Sequence, residues 1–168
     1  MSKKDSREPH LALTTNGVDG ACAAAAVLLR HPDAEIRITS HHHLPSALER
    51  LRDEAFAGTL HLCGIGVDAA PEAALELLKP VADRARVRWY FGTEHPEVAA
   101  LRGSLEKRGG LLFPHAGTDT DAALAGVDAA DTERGTFLAQ VAAGAAETAR
   151  KRTSRSELHR FCRDLVAA

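Results

Sequence analysis

Hydrophobic positions along the chain alternate between two periodicities. Short runs of β-type composition lie at residues 11–14, 35–39, 59–63, 87–91 and 110–113. Between them, apolar residues recur at helical spacing, as in Leu44, Leu48 and Leu51. This alternation predicts an α/β fold, in which a Rossmann-like parallel sheet forms the middle of three layers and helices cover both faces.

Several residues predict where helices begin and end. Ser46 and Glu49 have the spacing of a capping box at the start of the second helix. Pro80 is expected to end or kink the third helix, since proline lacks a backbone N–H. Gly109 and Gly110 are expected to close the next helix before the fifth strand.

The strand pattern disappears after Pro114, and the remaining sequence is helical. We therefore expect three parts. Residues 1–10 are polar and predict a disordered N-terminal segment, and residues 11–150 predict the α/β domain. Residues 151–168 predict a C-terminal helix that packs on the domain or on a partner, which leaves no second domain to form the other wall of a cleft.

Composition narrows the class of protein. The 168 residues are 45% hydrophobic and 26% charged, with a formal net charge of −2, which excludes a disordered chain or a strongly basic nucleic-acid coat. Aromatic residues make up 4%, so the core must consist mainly of Ala, Leu and Val. The three cysteines, Cys22, Cys63 and Cys162, form no CxxC pair. With no apolar leader and no run of about 18 apolar residues, the sequence indicates a cytoplasmic protein without a membrane partner.

Polar residues cluster where the predicted strands end. The carboxyl ends of parallel strands share one edge of the sheet, where ligands bind in open α/β folds. The side chains expected there are carboxylates and imidazoles, which coordinate divalent metals. They are Asp19, His41, His42, His43, Glu94, His95 and His115.

Asp19, Glu94 and the histidines at 41–43 also have a structural interpretation. Asp19 is a favoured residue for capping a helix that starts near Ala21. The three histidines at 41–43 cannot all point the same way and are commonly solvated, and Glu94 suits the dipole at a helix start. The glycine pattern at 64–69 matches a dinucleotide fingerprint, but it follows the third strand rather than the first.

Four segments, in their order and position, resemble the DHH phosphoesterase superfamily, which includes RecJ-type exonucleases, nano-RNases and manganese pyrophosphatases. The first is TTNGVDGACAAAA, which matches the family motif T-H-N-D-x-D-G with Asp19 and Gly20 kept, Thr15 at the histidine and Gly17 at the first aspartate. The second, LHLCGIGVD at 60–68, has Gly64 where the family has an acid.

The other two segments complete the resemblance. In TEHP, Thr93 and Glu94 replace the aspartate and first histidine of the D-H-H motif, whereas His95 and Pro96 are kept. GVDAADTERGTF resembles the late Asp-Thr motif through Asp131 and its neighbour Thr132. The family's two-metal centre needs about five or six ligands, so these departures imply that a complete centre is absent.

The resemblance implies a set of site residues. Metal ligands would be Asp19, Asp131 and Glu94, with His41 as a substitute from the residue pattern, and the ion would be Mn²⁺ or Mg²⁺ if the site is functional. His95 would be catalytic if the protein is active. The residues expected to bind a nucleotide or phosphate ester are Thr15, Asn16, Gly17, Gly20, Gly64, Thr93, Glu94 and His95.

The leading hypothesis is a non-catalytic, DHH-type pseudoenzyme that binds a nucleotide, another phosphate ligand or a protein partner, the partner being a second copy of the chain or a different protein. The alternative is an active manganese-dependent phosphoesterase on nucleotides or short oligonucleotides, in which His41, His42, His43 or His115 replaces lost ligands.

The C-terminal segment supports a separate hypothesis. Residues 150–164 contain six basic residues against two acidic ones, a charge that could contact a nucleic-acid backbone. Leu158, Phe161 and Leu165 instead favour an amphipathic helix that packs on the domain or on a second subunit.

Overall fold

The computed structural model describes residues 8–65, 71–91, 102–103, 105–114 and 117–150. The strands are β1 (His10–Thr15), β2 (Glu35–Thr39), β3 (Thr59–Cys63), β4 (Arg86–Phe91) and β5 (Leu111–Pro114). The helices are α1 (Val18–Arg30), α2 (Leu44–Asp53), α3 (Pro71–Ala82), α4 (Asp119–Gly126) and α5 (Glu133–Arg150), with a 3₁₀ turn at His41–His43.

The five strands form one parallel sheet in the order β2-β1-β3-β4-β5. Each predicted strand is present, with ends that differ by at most one residue from the prediction. The prediction of a Rossmann-like α/β fold is therefore confirmed at this level. The strand order reverses between β1 and β3, so the carboxyl ends of these two strands mark the topological switch point.

Alternate strand residues belong to two hydrophobic clusters. Leu60 and Leu62 lie in a cluster with Leu48 of α2 and Leu78 of α3. Tyr90 of β4 lies in the other cluster, which α1, α4 and α5 complete. In β3, the residues that face either side of the sheet are buried, as is typical of a parallel strand in the interior of a sheet.

Small side chains allow the helices of the second cluster to approach closely. Cys22, Ala23 and Ala26 of α1 are fully buried, where the helix packs against α4 and α5. A core built from alanine buries little area per residue, so it requires close backbone contacts to exclude water. The low aromatic content of the sequence therefore corresponds to a core in which small side chains let α1, α4 and α5 pack closely.

The predicted capping box at Ser46 and Glu49 is wrong. Helix α2 starts at Leu44, and Ser46 lies inside it, because Pro45 occupies the first turn, where its missing N–H costs nothing. A capping box does occur at α4, where Thr118 and Asp121 exchange hydrogen bonds.

Two helix ends were predicted from proline and glycine, and the structure confirms the one at Gly109 and Gly110 but not the one at Pro80. Helix α3 continues two residues beyond Pro80 and ends at Ala82, so the proline occupies the last turn without ending the helix. Gly109 has a φ of +74°, and the N–H of Gly110 donates to the carbonyl of Leu105 at 2.8 Å. This is a Schellman closure, and it confirms the predicted helix end before β5.

The segments at both ends of the predicted domain lie partly outside the described residues, as do 92–101 after β4. Residues 1–7 and 151–168 are among them, so the N-terminal and C-terminal predictions stay predictions. The first described residues contact the sheet: the Thr59 N–H donates to Pro9, and its hydroxyl donates to Glu8 at 2.9 Å. Within the described ranges, no helix has the length and apolar character needed to cross a membrane.

Candidate functional site

The connection from β1 to α1 forms the centre of the predicted site at the carboxyl edge of the sheet. Gly17 is the N-cap of α1, and its carbonyl accepts the first helical hydrogen bond from Ala21 at 2.9 Å. Asn16 is exposed and Thr15 is buried. Asp19 therefore lies in the first helical turn and is not the N-cap, contrary to the structural interpretation from sequence.

The carboxylate of Asp19 is occupied by donors from another helix. It accepts the backbone N–H groups of Asp119 and Thr120, both at 2.9 Å, and the Thr120 hydroxyl at 2.7 Å. These donors belong to the first turn of α4, whose dipole favours a negative charge at that end. Asp19 thus joins α1 to α4, and three of the roughly four acceptor sites of its carboxylate are taken by α4.

Two glycines, Gly20 and Gly64, allow the backbone segments that follow β1 and β3 to approach closely at the switch point. Gly64 has a φ of +65°, and a Cβ added there would lie 2.6 Å from the Cα of Gly20. A Cβ at Gly20 would lie 2.5 Å from the hydroxyl of Thr15, which itself donates to the Gly64 carbonyl at 3.3 Å. The backbone leaves no room for a side chain at position 64, where the DHH pattern has an acid.

Asp131 lies far along the chain from the switch point and on the other side of α4. It is exposed, in the turn before α5, where Thr132 accepts the N–H of Gly135 at 2.9 Å. The eight residues of α4, about 12 Å of helix, run from Asp119, whose N–H bonds Asp19, to Gly126, before the turn. The groups that bond the Asp19 carboxylate belong to Asp119 and Thr120, and Asp131 is not one of them.

The histidine run after β2 forms an exposed 3₁₀ turn. His43 Nδ1 lies 2.8 Å from the hydroxyl of Ser40, whereas His41 is exposed beside it. The other predicted site residues, Thr93, Glu94, His95 and His115, lie outside the described residues.

A pocket of about 550 Å³ opens between β2 and α2 at the carboxyl edge. The pocket is lined by polar groups from the ends of β1 and β2 and by apolar side chains that include Leu13 and Leu51. The guanidinium groups of Arg37 and Arg50 also line it. The Arg37 side chain bonds Glu35 and Glu54 at 2.7 Å each. The polar side chains that line the pocket are Asn16, Arg37, Thr39, Ser40, His43, Ser46, Arg50 and Glu54.

A second group of side chains, which the sequence analysis missed, lies toward the amino ends of the strands. His10 begins β1, His31 directly follows α1, and His61 is in the middle of β3. The Nδ1 of His10 lies 3.0 Å from the Nε2 of His61, and the rings of His10 and His31 stack at 3.7 Å. The Nδ1 of His61 lies 2.9 Å from the Tyr90 hydroxyl.

Burial favours the neutral form of these imidazoles by lowering their pKa values. It lowers the pKa of His61 to about 3, assisted by the positive charges of His10, His31 and Arg88. Burial is also the main cause that lowers the pKa of His10 and of His31. All three rings therefore offer unprotonated nitrogens near neutral pH. We call these three residues the histidine cluster.

The histidine cluster could have been found from the sequence by examining the amino edge of the sheet as closely as the carboxyl edge. His10 precedes the first strand and His31 follows the first helix, which places both at that edge in a parallel α/β unit. His61 alternates with Leu60 and Leu62, so it faces the opposite cluster from them.

Comparison with known proteins adds no assignment: no family model matches the chain, and no curated protein matches its sequence.

Proposed function

We propose that the protein is a DHH-like, three-layer α/β domain that binds a nucleotide or another phosphate ester without hydrolysing it. The pocket between β2 and α2 is the binding site. The proposal combines the motif resemblance with the parallel sheet and with the pocket at its carboxyl edge.

The carboxylate of Asp19 carries the non-catalytic part of the proposal. Two-metal hydrolysis requires ligands free to hold the ions and to generate a hydroxide nucleophile. Asp19 is the acid that the resemblance keeps in the first motif, and its oxygens accept three hydrogen bonds from α4. Gly17 offers no ligand atom, and the contact between Gly64 and Gly20 leaves no space for one.

The chemistry of the pocket supports a phosphate ester as its ligand. Amide, hydroxyl and imidazole groups of Asn16, Ser40 and His43 can donate hydrogen bonds to phosphate oxygens, and Arg50 adds a positive charge. The apolar side chains of the pocket suit a base or another organic group. A volume of about 550 Å³ accommodates a mononucleotide.

Calorimetric titration with adenosine monophosphate tests the binding site. We expect the Arg50→Ala variant to bind the nucleotide about tenfold more weakly, because it loses one charge-assisted contact. The Arg52→Ala variant is the matched control, since Arg52 is an exposed neighbour that bonds Asp53 and does not line the pocket. Equal affinity in the Arg50→Ala variant and the wild type would contradict this site.

A hydrolysis assay tests the other half of the proposal. With added Mn²⁺, we expect no release of product from dinucleotides, pyrophosphate or short oligonucleotides. Turnover that disappears in the Asp19→Asn variant would instead establish the active, manganese-dependent enzyme that is the alternative. The two assays are independent. Nucleotide binding that depends on Arg50, with no hydrolysis, supports the proposal, whereas hydrolysis that depends on Asp19 but not on Arg50 supports the alternative.

A further inference from the structure

The histidine cluster has the geometry of a transition-metal site. Its three available ligand nitrogens lie within 4.8 Å of one another, and His10 and His61 approach to 3.0 Å. Two nitrogens at about 2.1 Å from one zinc ion, at tetrahedral angles, lie about 3.4 Å apart. This value lies between the 3.0 Å of the His10–His61 pair and the 4.8 Å within which all three nitrogens lie, so shifts of the rings would place all three nitrogens around one ion.

Ring positions give a second measure of the fit. Imidazoles that share a tetrahedral ion have centroids about 5 Å apart. The centroid of His61 lies 5.3 Å from that of His10 and 5.5 Å from that of His31. The stacked pair, His10 and His31, is closer at 3.7 Å and must separate when an ion enters. Both rings are partly exposed, which gives them room to move.

We propose that His10, His31 and His61 bind a zinc(II) ion, at the end of the sheet opposite to Asp19. Neutral imidazole is a favoured ligand for zinc, and three such ligands leave one coordination position open. The ion would connect the start of β1, the end of α1 and the middle of β3, and its binding would therefore stabilise the folded state.

Tyr90 supplies the outer contact that a zinc-bound imidazole needs. When Nε2 of His61 holds the ion, the ring proton is on Nδ1, which then donates to the Tyr90 oxygen at 2.9 Å. Ligating histidines almost always bond a second group in this way, which fixes their tautomer and orientation. Tyr90 is fully buried, so its hydroxyl is held in place.

The surrounding charges are compatible with a dication. Arg30 and Arg88 are nearby cations, and the Arg88 guanidinium donates to the Gly126 carbonyl at the end of α4 at 3.3 Å, where the helix dipole is negative. On the other side lies a pocket of about 370 Å³ whose charged and imidazole side chains are those of Glu8, His10, Arg30, His31 and Asp33, so its two carboxylates outnumber its one guanidinium. The pocket provides both entry for the ion and negative charge beside it.

Zinc titration of the untagged full-length chain, stripped with chelator, tests the proposal. We expect one ion per chain, a rise in the melting temperature on adding zinc, and four-coordinate absorption bands when cobalt(II) replaces it. The His31→Ala variant should bind zinc at least about 100-fold more weakly and lose the shift in melting temperature. Because His31 is partly exposed at the end of a helix, this variant is expected to fold.

Two further variants separate this site from other histidines. The Tyr90→Phe variant keeps all three ligands and should weaken zinc binding about 10- to 100-fold through the loss of the outer contact. The His42→Ala variant removes an exposed histidine elsewhere and should bind zinc like the wild type. Absence of stoichiometric zinc in the wild type, or an affinity that follows His42 and not His31, would overturn the proposal.

Discussion

The two ends of the sheet contrast in how their polar residues are used. At the carboxyl edge, Asp19 bonds the first turn of α4, and Gly64 packs directly against Gly20. Toward the amino ends, three imidazoles meet with ring nitrogens facing one another. At the edge where the sequence predicted metal ligands, Asp19 joins two helices, whereas ligand-type groups converge where none was predicted.

The contrast shows that residue type at a strand end does not by itself define a site. A carboxylate next to a helix N-terminus is stabilised by backbone N–H groups and becomes part of the scaffold. An imidazole buried without an opposite charge stays neutral and keeps a free electron pair for an ion or a hydrogen bond. Burial and partners decide between these outcomes, and both depend on the packed structure.

The largest expected effect comes from the switch point. The Gly64→Ala variant should lower the free energy of unfolding by about 3 kcal/mol, because the new Cβ meets Gly20 and the positive φ is strained. Urea denaturation measures this change. Gly109→Ala is the matched control, with a φ of +74° and open space around its Cβ, and it should cost only about 1 kcal/mol. Equal costs for the two variants would contradict the close packing.

Removal of the Asp19 carboxylate should have the next largest effect. The Asp19→Ala variant leaves the donors of Asp119 and Thr120 without their acceptor and should lower the free energy of unfolding by about 2 kcal/mol. Asp131→Ala is the control, since Asp131 is exposed and should change stability by less than about 0.5 kcal/mol. If Asp19→Ala leaves stability unchanged, the contact between α1 and α4 is not a structural one.

The pH dependence of stability tests the histidine cluster without metal. Burial lowers the pKa of His61 from 6.5 to about 3, so below about pH 6 the unfolded chain binds more protons than the folded one. The free energy of unfolding should therefore decrease as the pH is lowered, by roughly 1 kcal/mol per pH unit between about pH 6 and pH 5. This range lies above the one in which carboxyl groups titrate.

The groups facing His61 contribute to the same trend. The pKa of His10 and of His31 is also lowered by burial, Arg88 acts in the same direction, and Glu8 opposes it at both outer histidines. Urea denaturation of chelator-treated protein at each pH measures the slope. A free energy of unfolding that stays constant from pH 7 to pH 5 would show that the imidazoles protonate freely in the folded protein.

The smallest expected effect concerns thiol chemistry at the carboxyl edge. Burial and the nearby charge of Asp119 raise the pKa of the Cys63 thiol, so it stays protonated and inaccessible. We expect a disulfide reagent to leave Cys63 unmodified in the native protein, as followed by mass spectrometry of its peptide, and to modify it rapidly in urea. Fast native modification would indicate that the end of β3 opens to solvent.

Local sequence patterns predicted the elements well. The runs at 35–39 and 59–63 match β2 and β3, although β2 is a partly exposed edge strand whereas β3 is buried along its whole length. The Schellman closure at Gly109 was also predictable, since glycine adopts positive φ without strain. The capping box at Ser46 failed because Pro45 is itself a strong start for a helix.

The sequence by itself determined the alternation of strands and helices, the parallel sheet and the small-residue core, since these follow from periodicity and side-chain size. Only the tertiary structure decided that Asp19 bonds α4, 100 residues further along the chain, and that His10 meets His61 across two strands. Such contacts join residues remote in sequence, and their geometry depends on how the packed elements orient each side chain. The chemistry of the candidate sites is consequently a property of that packing.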